Sequence, residues 1–221
     1  MSTTSRKAPR RRYDNSRRLS DAEARQRRTV EAATALFVEH GFGGTSIDQI
    51  AAAASVSPQT IYATYGSKAG VLSRAIDVAV LGDFEDRPLV DRIPVLAEPP
   101  GSEHRLHFAT AAQFVRALHE RVAALMRVLE QSASNDPALE ELRARLIREI
   151  LADCEVWVAQ LGPALRPGLT KSRAADVMAT IQSPWIYSIF TVDLGWTPDQ
   201  YEEWLAHALP HLLLRPELLS E

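Results

Sequence analysis

The sequence predicts an all-α protein, a small helix-turn-helix domain followed by a larger helical bundle. Three observations carry this. Val, Ile and Thr do not alternate with polar residues over any long stretch, so strand patterns are absent. Apolar residues recur instead at helical spacing, as in Val30, Ala33, Leu36 and Phe37. Pro and Gly fall where helices start or stop: Pro58 and Pro137 at starts, Gly41, Gly43 and Gly44 in one turn, Pro99-Pro100-Gly101 in a linker.

The elements follow in order. Residues 1–20 are polar, Arg-rich and aperiodic, and read as a disordered basic arm. A helix from Asp21 ends at His40-Gly41, a basic residue followed by a left-handed cap. Thr45 to Asp48 reads as a capping box in which the Thr45 hydroxyl accepts from the Asp48 amide. The short helix behind it turns Ile47, Ile50, Ala51 and Ala54 inward and breaks at Ser55-Val56. Ser57 caps the next helix with Pro58 at its first position, and it runs to about Tyr65. Ser67 caps a fourth helix through about Leu81. Residues 83–102 look like a linker, and a helical stretch follows to Ala133, dividing near Leu118 to Arg121. Asp136-Pro137 opens a helix to about Leu161, and Lys171 to Asp193 forms one kinked at Ser183-Pro184. Thr197 caps the last, through Leu214. The domains expected are the arm at 1–20, a helix-turn-helix domain at 21–66 and a helical bundle at 67–221.

Composition bounds the function. With 46% hydrophobic residues among 221, the chain can bury one good core. The single cysteine, Cys154, excludes an intramolecular disulfide and reads as a small buried hydrophobe in a reducing compartment. The Arg-rich opening is not followed by an apolar segment, and no apolar run approaches a membrane span, so the expected location is the cytoplasm. Charge is divided: residues 1–74 hold 12 Lys and Arg against 6 Asp and Glu, and residues 75–221 hold 13 against 22. A basic head on an acidic body expects a polyanion at the head.

The informative unit is Thr45 to Lys68, two short helices joined by a tight turn. In such a pair the second helix enters the major groove. Its outward residues are Pro58, Gln59, Thr60, Ala63 and Thr64, with Ser57 at its cap. Gln59 suits a bidentate pair with adenine and Thr60 a hydroxyl or methyl contact. Tyr62, Tyr65 and Lys68 are placed as phosphate contacts, with Thr45 at the edge of the same surface. Ile61 is expected inward, beside Leu36, Phe37 and Ile50.

The run FVEHGFGGTSIDQIAAAASVSPQTIYATYGSKAGVL, Phe37 to Leu72, resembles the DNA-binding domain of the TetR family of bacterial regulators. Phe37, Gly41, Thr45, Ile50-Ala51, Val56-Ser57, Thr60-Ile61-Tyr62, Tyr65 and Ser67-Lys68 stand at that family's spacing, over Arg25 to about Arg74. Two residues depart from it, Ser55 for the usual Gly and Tyr65 for the commoner Phe. Ser183-Pro184 and the stretch from Gly195 to Leu205 are similar to the last two helices of such regulators. The resemblance implies a homodimer that binds a palindromic operator, most often as a repressor, and is switched by a small ligand. Val177, Ile181, Trp185, Trp204, Leu205, Leu209 and Leu212 are the expected dimer contacts. The implied ligand cavity is assigned to His107, Phe108, Ala111, Met126, Leu129, Trp157, Gln182, Trp185, Tyr187 and Phe190, a sparsely polar set that suits an apolar or aromatic ligand.

Other chemistry finds little footing. His104 with His107, and His207 with His211, have helix-face spacing, but no Glu or Cys completes a metal site and no cofactor is expected. No G-x-S-x-G, P-loop, dinucleotide fingerprint or H-E-x-x-H occurs, which leaves an enzyme as a remote alternative. A constitutive DNA-binding dimer without a ligand is the other, and the large C-terminal region speaks against it.

Overall fold

A computed structural model of the chain describes residues 10–82 and 104–219, with side chains from 21–82 and 107–219. Nine α-helices account for the described architecture: α1 Arg10–Gly44, α2 Ile47–Ala54, α3 Pro58–Tyr65, α4 Lys68–Leu81, α5 His104–Ala133, α6 Pro137–Leu161, α7 Lys171–Ile181, α8 Pro184–Ser188 and α9 Pro198–Leu213. No strand occurs among the described residues. None of these helices is long and apolar enough to cross a membrane. The expected linker at 83–102 and residues 1–9 of the expected arm lie outside the described residues.

Local chemistry sets most boundaries. Gly41, at φ +70°, breaks α1 where the sequence places its cap. Asp136 opens α6 by accepting from the amides of Ala138 at 2.9 Å and Leu139 at 3.4 Å. Thr197 and Gln200 close a capping box at the start of α9. Three expectations need correction. The helix begins at Arg10 and not at Asp21, because no Gly or Pro interrupts the chain from there to His40 and Arg, Ala, Gln and Glu are good helix formers. α5 is undivided through Leu118–Arg121: it packs against α1, α4, α6, α8 and α9, so its apolar residues form no single stripe. Ser183-Pro184 separates two helices rather than kinking one: α7 ends at Ile181, and the Ser183 hydroxyl accepts from the Ile186 amide to start α8. α8 passes into a π-helical turn, Ile189–Asp193.

The interior has two buried clusters. In the first, Val30, Phe37, Ile50, Ile61, Leu72 and Ile76 of α1–α4 pack with Val122, Leu125, Met126 and Leu129 of α5 and Leu139, Leu142 and Leu146 of α6. The helix-turn-helix domain therefore shares its core with the bundle. The second gathers Phe108, Cys154, Trp157, Met178, Tyr187, Tyr201, Leu205, Leu209 and Leu213. Cys154 is buried and free, and burial pushes its thiol up to about 12, which makes it inert at neutral pH.

His119 lies in the second region with 2% of its surface exposed, and burial pulls its pKa down to about 3. The folded chain thus binds fewer protons than the unfolded chain between about pH 6.5 and 3, so stability from this group is full above 6.5 and is lost as pH falls. Moving from pH 7 to 5 is expected to cost about 2 kcal/mol through His119 alone. Asp77 and Asp153, raised by burial, act in the opposite sense, so the comparison is with His119→Phe. Urea titrations at both pH values are expected to show a smaller acid loss in the variant; equal losses would contradict the assignment.

Candidate nucleic-acid interface

The helix-turn-helix is built from short-range hydrogen bonds. Ser46, not Thr45, is the N-cap of α2: its hydroxyl accepts from the Gln49 amide at 3.2 Å, and the Gln49 side chain accepts from the Ser46 amide at 2.7 Å. The Thr45 hydroxyl turns inward and donates to the carbonyls of Gly41 at 2.8 Å and Leu36 at 3.0 Å. At 2% exposure Thr45 staples the α1–α2 turn and is removed from the DNA surface.

The turn between α2 and α3 places Ser55 at φ 55°, ψ 48°, the only non-glycine with positive φ among the described residues. Its amide and that of Val56 satisfy the last carbonyls of α2. Holding a side chain in this left-handed region costs about 1 kcal/mol. Ser55→Gly is expected to raise unfolding free energy by up to about 1 kcal/mol, reduced by the extra freedom of glycine in the unfolded chain. A lower urea midpoint in the variant would contradict this.

α3 has one buried side and one exposed side. The Ser57 hydroxyl accepts from the Thr60 amide at 3.2 Å and pairs with the Thr60 hydroxyl at 2.9 Å. Ile61 is buried at 1% exposure and anchors the helix to the core beside Phe37 and Ile50. Gln59, Thr60, Tyr62, Ala63 and Thr64 are exposed, and Pro58 is half-buried at the helix start. Tyr62 is 54% exposed. Arg25, Arg27 and Arg28 of α1 are exposed, and Arg28 Nε donates to the Ala54 carbonyl of α2 at 3.3 Å.

Two expected phosphate contacts face the protein. Lys68 Nζ donates to the carbonyls of Phe42 at 2.6 Å and Thr45 at 2.7 Å, and it sits 4.2 Å from the centre of the Phe42 ring. Burial lowers its pKa, against a smaller raising effect of Asp136. The Tyr65 hydroxyl is buried without a hydrogen-bond partner among the described residues, and burial raises its pKa. Both residues hold the domain together because two neighbouring segments, invisible in the local pattern, close over them.

One residue of this unit escaped sequence reasoning. A Cβ on Gly70 would lie 2.0 Å from the Tyr65 carbonyl oxygen, so the first turn of α4 rests on the last turn of α3 through bare backbone. Its only sequence signal is a glycine inside a helix start, where a better helix former is otherwise preferred.

The C-terminal candidates do not gather in one place. His107, Phe108 and Trp157 form one ring cluster, with centroids 5.1 to 6.4 Å apart. Met126, Leu129 and half-buried Trp185 belong to the core shared with the helix-turn-helix domain. Ala111 is buried, and Gln182 Nε2 donates to Cys154 Sγ at 3.2 Å. The Tyr187 ring meets that of Tyr201 edge to face and that of His119 at a tilt, while Phe190 lies 4.5 Å from both Trp196 and Trp204, ring centre to ring centre.

Among the expected dimer residues, Leu205 and Leu209 are 0% and 1% exposed and serve the chain's own core. Val177, Ile181, Trp185 and Trp204 are half-buried, and Leu212 is 39% exposed. The outward stripe of α9 is Gln200, Glu203, His207 and His211. Ile189, Val192 and Leu194, at 44%, 57% and 61%, form an exposed apolar turn beside it that the pattern did not reveal. No group of three potential metal ligands occurs among the described residues.

Comparison with known proteins bears on this geometry. Residues 30–75 match the bacterial regulatory proteins of the TetR family. The HTH-type transcriptional repressor SCO4008 of Streptomyces coelicolor is 43% identical over 61 residues, 28% of this chain, and that match spans about a third (32%) of the relative's length. NalD, the secondary repressor of the MexAB-OprM multidrug efflux pump in Pseudomonas aeruginosa, shares the fold with a TM-score of 0.68 at 21% identity, covering 88% of this chain and 99% of that one. The SmeT–triclosan complex gives 0.62 at 18% identity, over 88% and 94% of the two chains. Residues 30–75 thus carry the sequence of a TetR-family DNA-binding domain, and the chain shares the fold of these solved structures along most of its length.

Proposed function

We propose that the chain is a cytoplasmic transcriptional repressor that binds a palindromic operator as a homodimer and is switched by a small ligand. The observation that carries this is α3: a helix anchored by buried Ile61 that offers Gln59, Thr60, Tyr62, Ala63 and Thr64 to solvent. One such helix contacts too few bases for useful specificity, so two copies on a two-fold axis are required. The exposed turn Ile189–Leu194 and the outer faces of α7 and α9 are the surfaces that a second copy would cover.

α4 is the lever of the switch. Its start is tied to the helix-turn-helix domain through Lys68 and Gly70. Its end is tied to the bundle by Arg121, which donates to the carbonyls of Ala79 at 2.9 Å and Val80 at 3.3 Å, and its middle by Arg145, which donates to the Ser73 hydroxyl at 2.9 Å. A ligand that favours one tilt of α4 changes the separation of the two recognition helices by an amount set by its differential affinity for the two states.

Selection from a random duplex library tests the reading. Enrichment of inverted repeats with half-site centres about one helical turn apart or a multiple of it, ~34 Å each, is expected, with two chains per duplex by sedimentation. Enrichment of no sequence, or binding of one chain per duplex, would contradict it.

A further inference from the structure

The exposed side chains of α3 differ in which of their atoms are left for a partner. At about 100° per residue, Gln59, Ala63, Thr60 and Thr64 follow one another around the helix within an arc of about 140°. All four are exposed, and buried Ile61 lies outside the arc. Thr64 Oγ1 donates to the Thr60 carbonyl at 2.8 Å. Thr60 Oγ1 and Ser57 Oγ share a hydrogen bond at 2.9 Å, and Ser57 Oγ also accepts from the Thr60 amide at 3.2 Å. Both threonine hydroxyls are therefore turned to their own helix.

A hydroxyl carries one proton. That of Thr64 is committed to its own backbone, so Thr64 donates to neither a phosphate nor a base. The Ser57 and Thr60 hydroxyls hold two protons between them, one of which lies in their shared bond, so a single donor remains at the N-cap. Beyond it the arc offers the Gln59 amide and three methyl groups, those of Thr60, Ala63 and Thr64. Among the four bases only thymine carries a methyl group in the major groove, and apolar contact with an alanine or threonine methyl is the matching readout. Of the two contacts that the residue type opens to Thr60, its bond to Ser57 favours the methyl.

We infer that α3 reads thymine through its 5-methyl group, with the methyls of Thr60, Ala63 and Thr64 as the reader and the Gln59 amide on a neighbouring adenine. This rests on the operator-binding reading above and gives each half-site a chemical signature, A·T pairs at the positions that α3 covers. Contact with a methyl group is apolar and independent of salt, so it separates one sequence from another without adding to the attraction that any duplex exerts. Loss of one packed methyl lowers affinity about fourfold.

The selected operator tests this when each thymine is replaced in turn by deoxyuridine, in both half-sites together. The replacement removes the 5-methyl and keeps every base pair and every hydrogen-bonding group. At one or more positions of the half-site, affinity for the full chain is expected to fall about fourfold per half-site, and at the others to stay unchanged. Thr60→Ser and Thr64→Ser, which delete the methyl and keep the hydroxyl, are each expected to remove the preference for thymine over uracil at one such position. Thr60→Val and Thr64→Val, which delete the hydroxyl and keep a methyl, are expected to retain it. Equal affinity for thymine and deoxyuridine duplexes at every position, or an operator without thymine in its half-sites, would overturn the inference. So would a preference that both serine variants keep or both valine variants lose. Each of these results leaves operator binding standing, because a selected sequence is still preferred to scrambled DNA. Selection of no sequence at all would refute both readings.

Discussion

Gly70→Ala is expected to unfold or misorient the helix-turn-helix domain. The added methyl would stand 2.0 Å from the Tyr65 carbonyl oxygen, and this obstacle is backbone, which cannot rotate aside. Relief requires α4 to lift from α3, opening the packing of Ile61 and Leu72 in the shared core. The cost is about 2–4 kcal/mol, although alanine within a helix would otherwise gain about 1 kcal/mol over glycine. Urea unfolding and operator binding measure the two consequences together. Gly66→Ala is the control: its φ of +75° makes alanine strained, but a Cβ there meets nothing within 4 Å, so a loss of only about 1 kcal/mol is expected. Equal losses at the two positions would show that contact with the Tyr65 carbonyl does not govern the joint.

The second large effect belongs to Lys68. Its ammonium bridges two carbonyls of the α1–α2 turn from the first residue of α4 and covers the Phe42 ring. Hydrogen bonds from a charged donor contribute about 1.5–3 kcal/mol each when buried, and partial exposure here reduces that. Lys68→Met, which keeps the apolar stem, is expected to cost about 2 kcal/mol of stability. The dependence of operator affinity on salt is expected to stay as it is. A phosphate-binding lysine would behave in the opposite way, losing about 0.9 from the logarithmic salt slope while leaving stability intact. Urea unfolding and salt titrations on the same variant decide between the two roles.

These two residues mark where the sequence stops being legible. Caps and starts are local chemistry, so Ser57-Pro58, Asp136-Pro137 and Thr197-Pro198 announce their helices within a few residues. Lys68 and Thr45 are polar residues in a DNA-binding motif, and only the closure of the α1–α2 turn over them turns both inward. Gly70 depends on a contact with Tyr65, a residue of another helix. The amphipathic pattern of α9 marks Leu205 and Leu209 as buried but not by what; α5 of the same chain covers that helix, and its outer stripe is polar. At the other end of the chain an Arg-rich composition reads as disorder, whereas uninterrupted helix propensity carries α1 back to Arg10. The exposed side of α3 was legible because its N-cap, its proline and its single inward isoleucine fix it within one turn.

The central claim is that this face reads base sequence, and Gln59 tests it most directly. The selected duplex, its single-base variants and a scrambled duplex are titrated with the unaltered chain and with Gln59→Ala and Tyr62→Phe. Gln59→Ala is expected to lose about 1–3 kcal/mol of discrimination at one base position in each half-site, with little change on scrambled DNA. Tyr62→Phe, removing a hydroxyl placed for phosphate, is expected to weaken binding to cognate and scrambled duplexes alike. Identical behaviour of the Gln59→Ala variant on cognate and scrambled duplexes would contradict the assignment of α3 as the recognition helix.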